Sequence, residues 1–571
     1  MPKTYETRVA DVRTDFTRHT GCGRSALLVA SAFAVLVALI LPASASAARL
    51  IESFSGPLAG WERQGDLRTE RVAEGEETVL RLSTASGGRL SRALAHRLWA
   101  TSFDLELAPG AAATLRLGGT SHRLRLHRPG RAPTVTARLG TRPSRTLEPR
   151  SGWPGRRWRV EASGGPSSLA LSVGGHSLGT LAPGPGRELS LGLARGRARV
   201  DNLVATARNA RLDLSLHRLS QLHERVPARS FVHGAWTDNR LRLDDLQWVR
   251  GFFPAALWLA RDRTPSSDLF AVPAHSRTLA NMGLEGTWDG HDLGFMYELS
   301  SVSALRRLCP GHPSCGRLRE SGLAAADRLM QIAATNPAAG MVPTAIKRPS
   351  TSEADVIIDS LMNMPLLVWA SETTGDASYR DTALKHAERV AHLLVRRDGS
   401  TFQSIHLDRV SGRILFRHTH QGASRSSTWA RGQGWAVHGF AQAADTFDSP
   451  RVLATAERTA AYVERNLPAS GVPRYDYSER TDRLLDNSAG MITAAGLFRL
   501  ARACDHWPGR CASPERWRAL GHRMLGASLA HVRRTPPLGF LERQCCPRWE
   551  RQSELIYGLY YALEAGALAG R

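Results

Sequence analysis

The chain has 571 residues, with 75 Lys and Arg against 52 Asp and Glu, and a formal net charge of +23. That length accommodates more than one domain and a large core. So strong a positive balance favours polyanionic partners, but no nucleic-acid motif and no Lys/Arg run interleaved with aromatics is present, which argues against a nucleic-acid-binding protein.

At the N-terminus, Arg8, Arg13, Arg18 and Arg24 precede a mostly apolar, charge-free run at 26–41 and then Ala45, Ser46 and Ala47. This order predicts a secretory signal peptide over 1–48; the run is short for a membrane span. The rest of the chain is therefore expected to be secreted. Cys22 leaves with the signal and six cysteines remain. Cys309 and Cys315 flank a Pro/Gly loop, as do Cys504 and Cys511, so both pairs are expected to form local disulfides. Cys545 and Cys546 are adjacent, and their pairing stays open. No C-x-x-C with a His partner occurs, so no metal site is expected. A basic exported protein is expected to meet acidic polysaccharide rather than nucleic acid.

Residues 49–207 read as all-β. Segments 78–83, 113–117, 122–127, 158–162 and 168–173 alternate or are rich in β-formers, with Gly/Pro turns between them. Many short strands with such turns predict a β-sandwich. About half of the net positive charge lies in this region. Binding of acidic glycan and a purely structural spacer are both compatible with it.

From residue 211 the period changes to 3.6. Twelve helical segments are predicted, at 211–225, 247–261, 266–284, 293–308, 316–335, 354–372, 378–396, 427–446, 450–466, 487–503, 514–531 and 552–567. Ser378, Ser427 and Asn487 suit N-cap positions, and Pro450 and Pro514 suit first turns. Twelve helices make six hairpins, which predicts an all-α (α/α)6 toroid over 208–571, with the loops at one end converging on a cavity.

The chemistry-bearing residues gather at loop–helix junctions. One cluster is 248–254 (WVRGFFP) and a second is 287–295 (TWDGHDLGF), with Asp292 just ahead of a helix. A third is Asp359, a carboxylate inside the apolar run 354–369, costly there unless it has a partner or a task. A fourth is 418–422 (HTHQG) followed by 427–435 (STWARGQGW). Trp rings stack on sugar faces, and the Arg431 fork matches a carboxylate. Taken singly, Trp429 and Trp435 read as core, Asp292 as an N-cap, and His291 as a structural histidine. Taken together, Asp292 and Asp359 form a pair of carboxylates of the kind used in glycoside chemistry.

Motifs at 291–295 (HDLGF), 358–370 (IDSLMNMPLLVWA), 420–422, 429–435, 486–489 (DNSA) and 553–564 (SELIYGLYYALE) resemble those of the unsaturated glucuronyl hydrolases, glycoside hydrolase family 88. The resemblance covers about residues 230–567, in order. It implies an (α/α)6 barrel, no metal and no cofactor. It also implies hydration of the C4=C5 double bond of the unsaturated uronate that ends lyase-generated oligosaccharides. On this resemblance Asp359 matches the general acid/base and Asp292 the second essential aspartate. Thr419, Arg431 and Trp435 match the uronate-gripping pocket, with Gln421, Trp429 and His406 as wall residues. Phe253 stands where the family usually has Trp, and Leu559 replaces a usual acidic residue, which leaves the finer subsites open. The stretches at 54–61 and 200–204 resemble the first and last strands of jelly-roll modules attached to secreted carbohydrate enzymes. The alternatives are an unsaturated rhamnogalacturonyl hydrolase and a non-catalytic acidic-glycan-binding protein. The expected substrates are unsaturated uronate oligosaccharides from glycosaminoglycan, alginate or exopolysaccharide.

Overall fold

A computed structural model describes residues 49–570 apart from 53–60, 75–76, 94–99, 118–122, 130–133, 140–142, 149–157, 166–167, 174–175, 182–187, 207–210, 237–239, 245–246, 264–267, 347–351, 482–483, 512 and 533–553. The expected signal peptide, most of the 54–61 stretch, and Cys545 and Cys546 lie outside the described residues.

Among the described residues, fourteen antiparallel strands run from Arg49–Glu52 to Glu188–Thr206. Alternation along them sets the core. In Glu77–Thr84, Leu80 and Leu82 are buried on either side of an outward Arg81; Leu105 with Leu107 and Leu124 with Leu126 repeat the pattern two residues apart. The long strand Glu188–Thr206 organises the region. Its first part pairs with Gly88–Ala93 and Ala112–Leu117, and its second with Glu77–Thr84 and Ala100–Leu107. Inward residues from both sets of strands form one apolar core.

The helices follow, and among the described residues there are twelve α-helices. They are α1 (Arg211–Arg225), α2 (Phe252–Asp262), α3 (Asp268–Asn281), α4 (Ser303–Leu308), α5 (Cys315–Ala334), α6 (Met364–Thr374), α7 (Ala377–Leu393), α8 (Ala430–Thr446), α9 (Pro450–Asn466), α10 (Asn487–His506), α11 (Pro514–Leu529) and α12 (Ile556–Leu568). A π-helix, Gly294–Val302, runs directly into α4, and a 3-10 turn, Ile358–Asn363, runs directly into α6. The even-numbered helices with these extensions close into a ring, each packed on the next from α2 round to α12 and back to α2. The odd-numbered ones back them, α1 against α12 and the others against the preceding even-numbered helix.

Sequence explains the two layers. Helix α9 is amphipathic: Val452, Leu453, Ala456, Ala460 and Val463 are buried at helical spacing while its other face is polar. Helices α8 and α10 are buried on nearly all sides and are rich in Gly and Ala. A Cβ on Gly496 of α10 would lie 2.6 Å from the His438 Cα of α8, so a glycine is needed for that approach. The two helical ends marked by Pro450 and Pro514 fall as predicted. Disulfides join Cys309 to Cys315 and Cys504 to Cys511.

Four local expectations are corrected. Residues 354–372 are not one helix. Glu353–Ile357 is a strand, because Ala354 and Val356 alternate with half-buried Asp355 and Ile357, and the segment pairs with Ser404–Asp408. The 3-10 turn and α6 come after it. The N-cap of α7 is Asp376, which accepts from Ser378 N at 2.8 Å, rather than Ser378 itself. The N-cap of α10 is Asp486 rather than Asn487. Ser427 does not cap α8, because its hydroxyl is committed to Asp476 at 2.7 Å, and the helix starts three residues later.

Candidate active site

The even-numbered helices bring their N-terminal ends together. Trp248, just before α2, stacks on Tyr557 of the first turn of α12 at 5.6 Å and lies 5.6 Å from Phe295 of the π-helix. Phe295 packs on Trp435 of α8 at 5.3 Å. The N-terminal parts of the π-helix, α8 and α12 and the residues leading into α2 thus share one aromatic floor. Trp435 is only 2 % exposed and belongs to that floor.

The two carboxylates sit on adjoining elements. Asp292 lies two residues before the π-helix, and its backbone carbonyl accepts from Met296 N at 2.9 Å. Asp359 is the second residue of the 3-10 turn. The two elements touch at backbone level: Phe295 N donates to Asn363 Oδ1 at 3.0 Å, and a Cβ on Gly294 would fall 2.4 Å from Asn363 Cα. The 3-10 turn is fixed from below as well. Val342 N donates to His386 Nδ1 at 3.0 Å, so the other ring nitrogen carries the proton and faces Ser360 Oγ at 2.9 Å. Ser360 Oγ in turn donates to Ile357 O at 2.6 Å.

Burial dominates the electrostatics. It pushes the Asp359 carboxyl up to about 6, with Asp292 and Asp355 adding repulsion and His291 opposing it. Burial pushes Asp292 up to about 7. His291 Nε2 lies 3.4 Å from Asp292 Oδ1, and burial holds that imidazole below its ordinary value, against the pull of Asp359 and Asp355. Asp359 Oδ1 is buried with no hydrogen-bond partner, while Asp292 keeps 21 % of its side chain exposed. Two carboxyls held partly protonated near neutral pH, both on residues that are only partly buried, can donate and accept a proton.

The other expected site residues fall in three places. Arg431, in the first turn of α8, donates from Nε to Asp486 Oδ2 at 3.2 Å and from a terminal nitrogen to the Tyr557 hydroxyl. Its guanidinium lies 5.2 Å from the Trp429 ring. Thr419 Oγ1 donates to Ser427 O at 3.1 Å, and Gln421 N donates to Gln403 Oε1 at 2.7 Å, which ties the HTHQG loop down. His406 belongs to a separate three-stranded sheet of Glu353–Ile357, Ser404–Asp408 and Ile414–His418, which leads straight into the turn carrying Asp359.

Sequence reasoning assigned no role to Asp486, Tyr557 or Asp355. Asp486 opens the 486–489 motif, and its Oδ1 accepts from Ala489 N at 2.9 Å as the cap of α10. Nothing local signals that its second oxygen meets Arg431.

Comparison with known proteins gives one consistent result. The family described as Glycosyl Hydrolase Family 88 matches residues 278–466. An unsaturated glucuronyl hydrolase of Bacillus sp. (strain GL1) is 32% identical over 312 residues, covering 54% of this chain and 78% of that protein. One from Formosa agariphila is 31% identical over 329 residues, covering 56% and 78%. An unsaturated chondroitin disaccharide hydrolase of Streptococcus pyogenes serotype M1 is 28% identical over 323 residues, covering 55% and 78%. Among solved structures, the Bacillus sp. GL1 unsaturated glucuronyl hydrolase, described as responsible for the degradation of glycosaminoglycan, superposes with a TM-score of 0.57 at 28% identity. It covers 62% of this chain and 94% of that one.

Proposed function

The chain belongs to glycosyl hydrolase family 88, and from that membership we propose that it removes the 4,5-unsaturated uronate from the non-reducing end of lyase-generated oligosaccharides. It is a glycoside hydrolase. The observation that carries the mechanism is the Asp292–Asp359 pair, both carboxyls raised by burial at the mouth of the helical ring.

In this reading Asp359, protonated, gives its proton to C4 of the enol ether, and positive charge develops at C5 beside the ring oxygen. The carboxylate so formed takes a proton from a water molecule as that water's oxygen bonds to C5. The product is a C5 hemiketal. It opens to a ketone and leaves a hydroxyl on C1, and the C1 hemiacetal then expels the adjoining sugar as an alcohol. The acid is regenerated, and no covalent enzyme–sugar bond forms. Asp292 holds the ring hydroxyls and, while charged, helps keep Asp359 protonated. Arg431 and Thr419 bind the uronate carboxylate, Trp435 and Trp429 support the pocket, and Gln421 and His406 line its wall.

The remaining expectations extend the proposal. Residues 1–48 act as a signal peptide and the mature protein is secreted; the Cys309–Cys315 and Cys504–Cys511 disulfides support an oxidising compartment. No helix among the described residues is long and apolar enough to cross a membrane. The 49–207 region is a jelly-roll-like module that either binds acidic glycan or serves as a spacer ahead of the 208–571 catalytic domain.

The test is a panel of unsaturated oligosaccharides from lyase-digested glycosaminoglycan, alginate and exopolysaccharide. The ultraviolet absorbance of the conjugated alkene should fall with at least one of them as the penultimate sugar is released. A folded protein that lowers it with none would overturn the proposal.

A further inference from the structure

We propose that Asp355, His406 and His418 form a binding site for one divalent transition-metal ion of the zinc class, on the three-stranded sheet beside the candidate active site. The three residues lie on three neighbouring strands. Asp355 is directly opposite His406, and His418 is directly opposite Ser404, two residues before His406. Residues opposite each other, or two apart on one strand, share a face, so the sheet turns all three side chains the same way.

The distances suit one ion. His406 Nε2 lies 3.1 Å from His418 Nε2 and 3.4 Å from Asp355 Oδ1. All three ligand atoms fall within 4.8 Å of one another. Two atoms bound to zinc at about 2.0–2.1 Å with tetrahedral angles stand about 3.3 Å apart. The observed separations are therefore those of neighbouring ligands around a single ion. Two imidazoles and a carboxylate also suit divalent metals of this class by donor type, and three protein ligands leave a position for water.

The ligands are held in place. Ser404 Oγ donates to Asp355 Oδ1, as an outer-shell hydroxyl would to a ligating carboxylate. Phe416 stacks on the His406 ring at 4.2 Å and 16°, which fixes the ring plane. A second cluster among the described residues, Glu457 with Cys504 and Cys511, is no rival, because its two sulfurs are bonded to each other. The site is a property of strand register and has no short motif, the three residues being 51 and 12 positions apart.

The test is titration of the full chain with Zn²⁺ by calorimetry and with Co²⁺ by visible absorption. Expected are one saturable equivalent and the intense d–d bands of low-coordinate Co²⁺. Both should be lost in His418→Ala and in Asp355→Asn, with circular dichroism unchanged, and both retained in Glu457→Gln. No saturable binding by the wild-type chain, or binding that survives His418→Ala and Asp355→Asn together, would overturn the proposal. Neither arm depends on the sugar chemistry, so failure here leaves the proposed hydrolase reaction standing.

Discussion

Arg431 Nε meets Asp486 Oδ2 at 3.2 Å, joining the first turn of α8 to the cap of α10, and both side chains are almost wholly buried. A buried ion pair is weak evidence for stability, but removing one member strands the other charge. Asp486→Asn keeps an oxygen for capping and removes the counter-charge. It should destabilise the protein by about 3 kcal/mol and raise KM more than it lowers kcat, because Arg431 loses the group that aims it. Chemical denaturation and steady-state kinetics check the two halves of this prediction; unchanged KM in a folded variant would remove Arg431 from substrate binding.

Activity should depend on a protonated Asp359. Its carboxyl lies at about 6 and that of Asp292 at about 7, so the proton that must reach the alkene is lost progressively above that range. The expected profile of kcat/KM falls on the alkaline side, beginning between about pH 6 and 7. A profile flat to pH 9 would assign the acid to another group.

The same carboxyl should show itself in stability. A folded-state value raised above the unfolded 3.8 means that the native state binds the proton more tightly. That contribution is fully present below the unfolded value and is lost as pH rises through about 6. Asp359→Asn removes the charge, so at pH 8 it should be more stable than wild type by about 1–2 kcal/mol, and the difference should vanish near pH 4. Its activity should drop by a factor of at least about 10². Melting curves at the two pH values, run beside the assay, separate a site residue from a structural one.

Gly294 is where the two catalytic elements touch. In Gly294→Ala the new Cβ would sit 2.4 Å from Asn363 Cα, a backbone atom that cannot swing aside. The π-helix and the 3-10 turn must separate, at a cost of about 1–3 kcal/mol. Because Asp292 and Asp359 ride on those two elements, kcat should fall more than stability alone explains. A variant with wild-type kcat would mean that the spacing between the carboxylates is not critical.

Much of the helical region was legible in the sequence because long, strongly periodic segments report their own burial. The bounds of α1 and α9 coincide with the predicted ones, as do the starts of α10 and α11. The run around Asp359 was misread because Val356, Ile357, Leu361 and Leu366 satisfy an apolar helix as readily as they satisfy a strand, a tight turn and a helix in succession. Pairing with Ser404–Asp408, about 50 residues on, decides that, and no local period carries it. The cap errors have a similar origin. Ser427 has the right chemistry for a cap, but Asp476 claims its hydroxyl from a distant loop. Arg431 and Trp435 lie on the helix expected of them, but Asp359 lies on a 3-10 turn rather than within a helix, and Asp486 and Tyr557, which hold Arg431 from α10 and α12, emerge only when the ring closes.

The central claim is that the proton goes to an alkene carbon and not to a glycosidic oxygen. Hydrolysis of an unsaturated disaccharide in D₂O, followed by NMR of the released uronate, tests it most directly. The account predicts a saturated, ring-opened keto sugar carrying one deuterium at C4, and no such product from Asp359→Asn. Release of a uronate that keeps its C4=C5 double bond and carries no deuterium would contradict it.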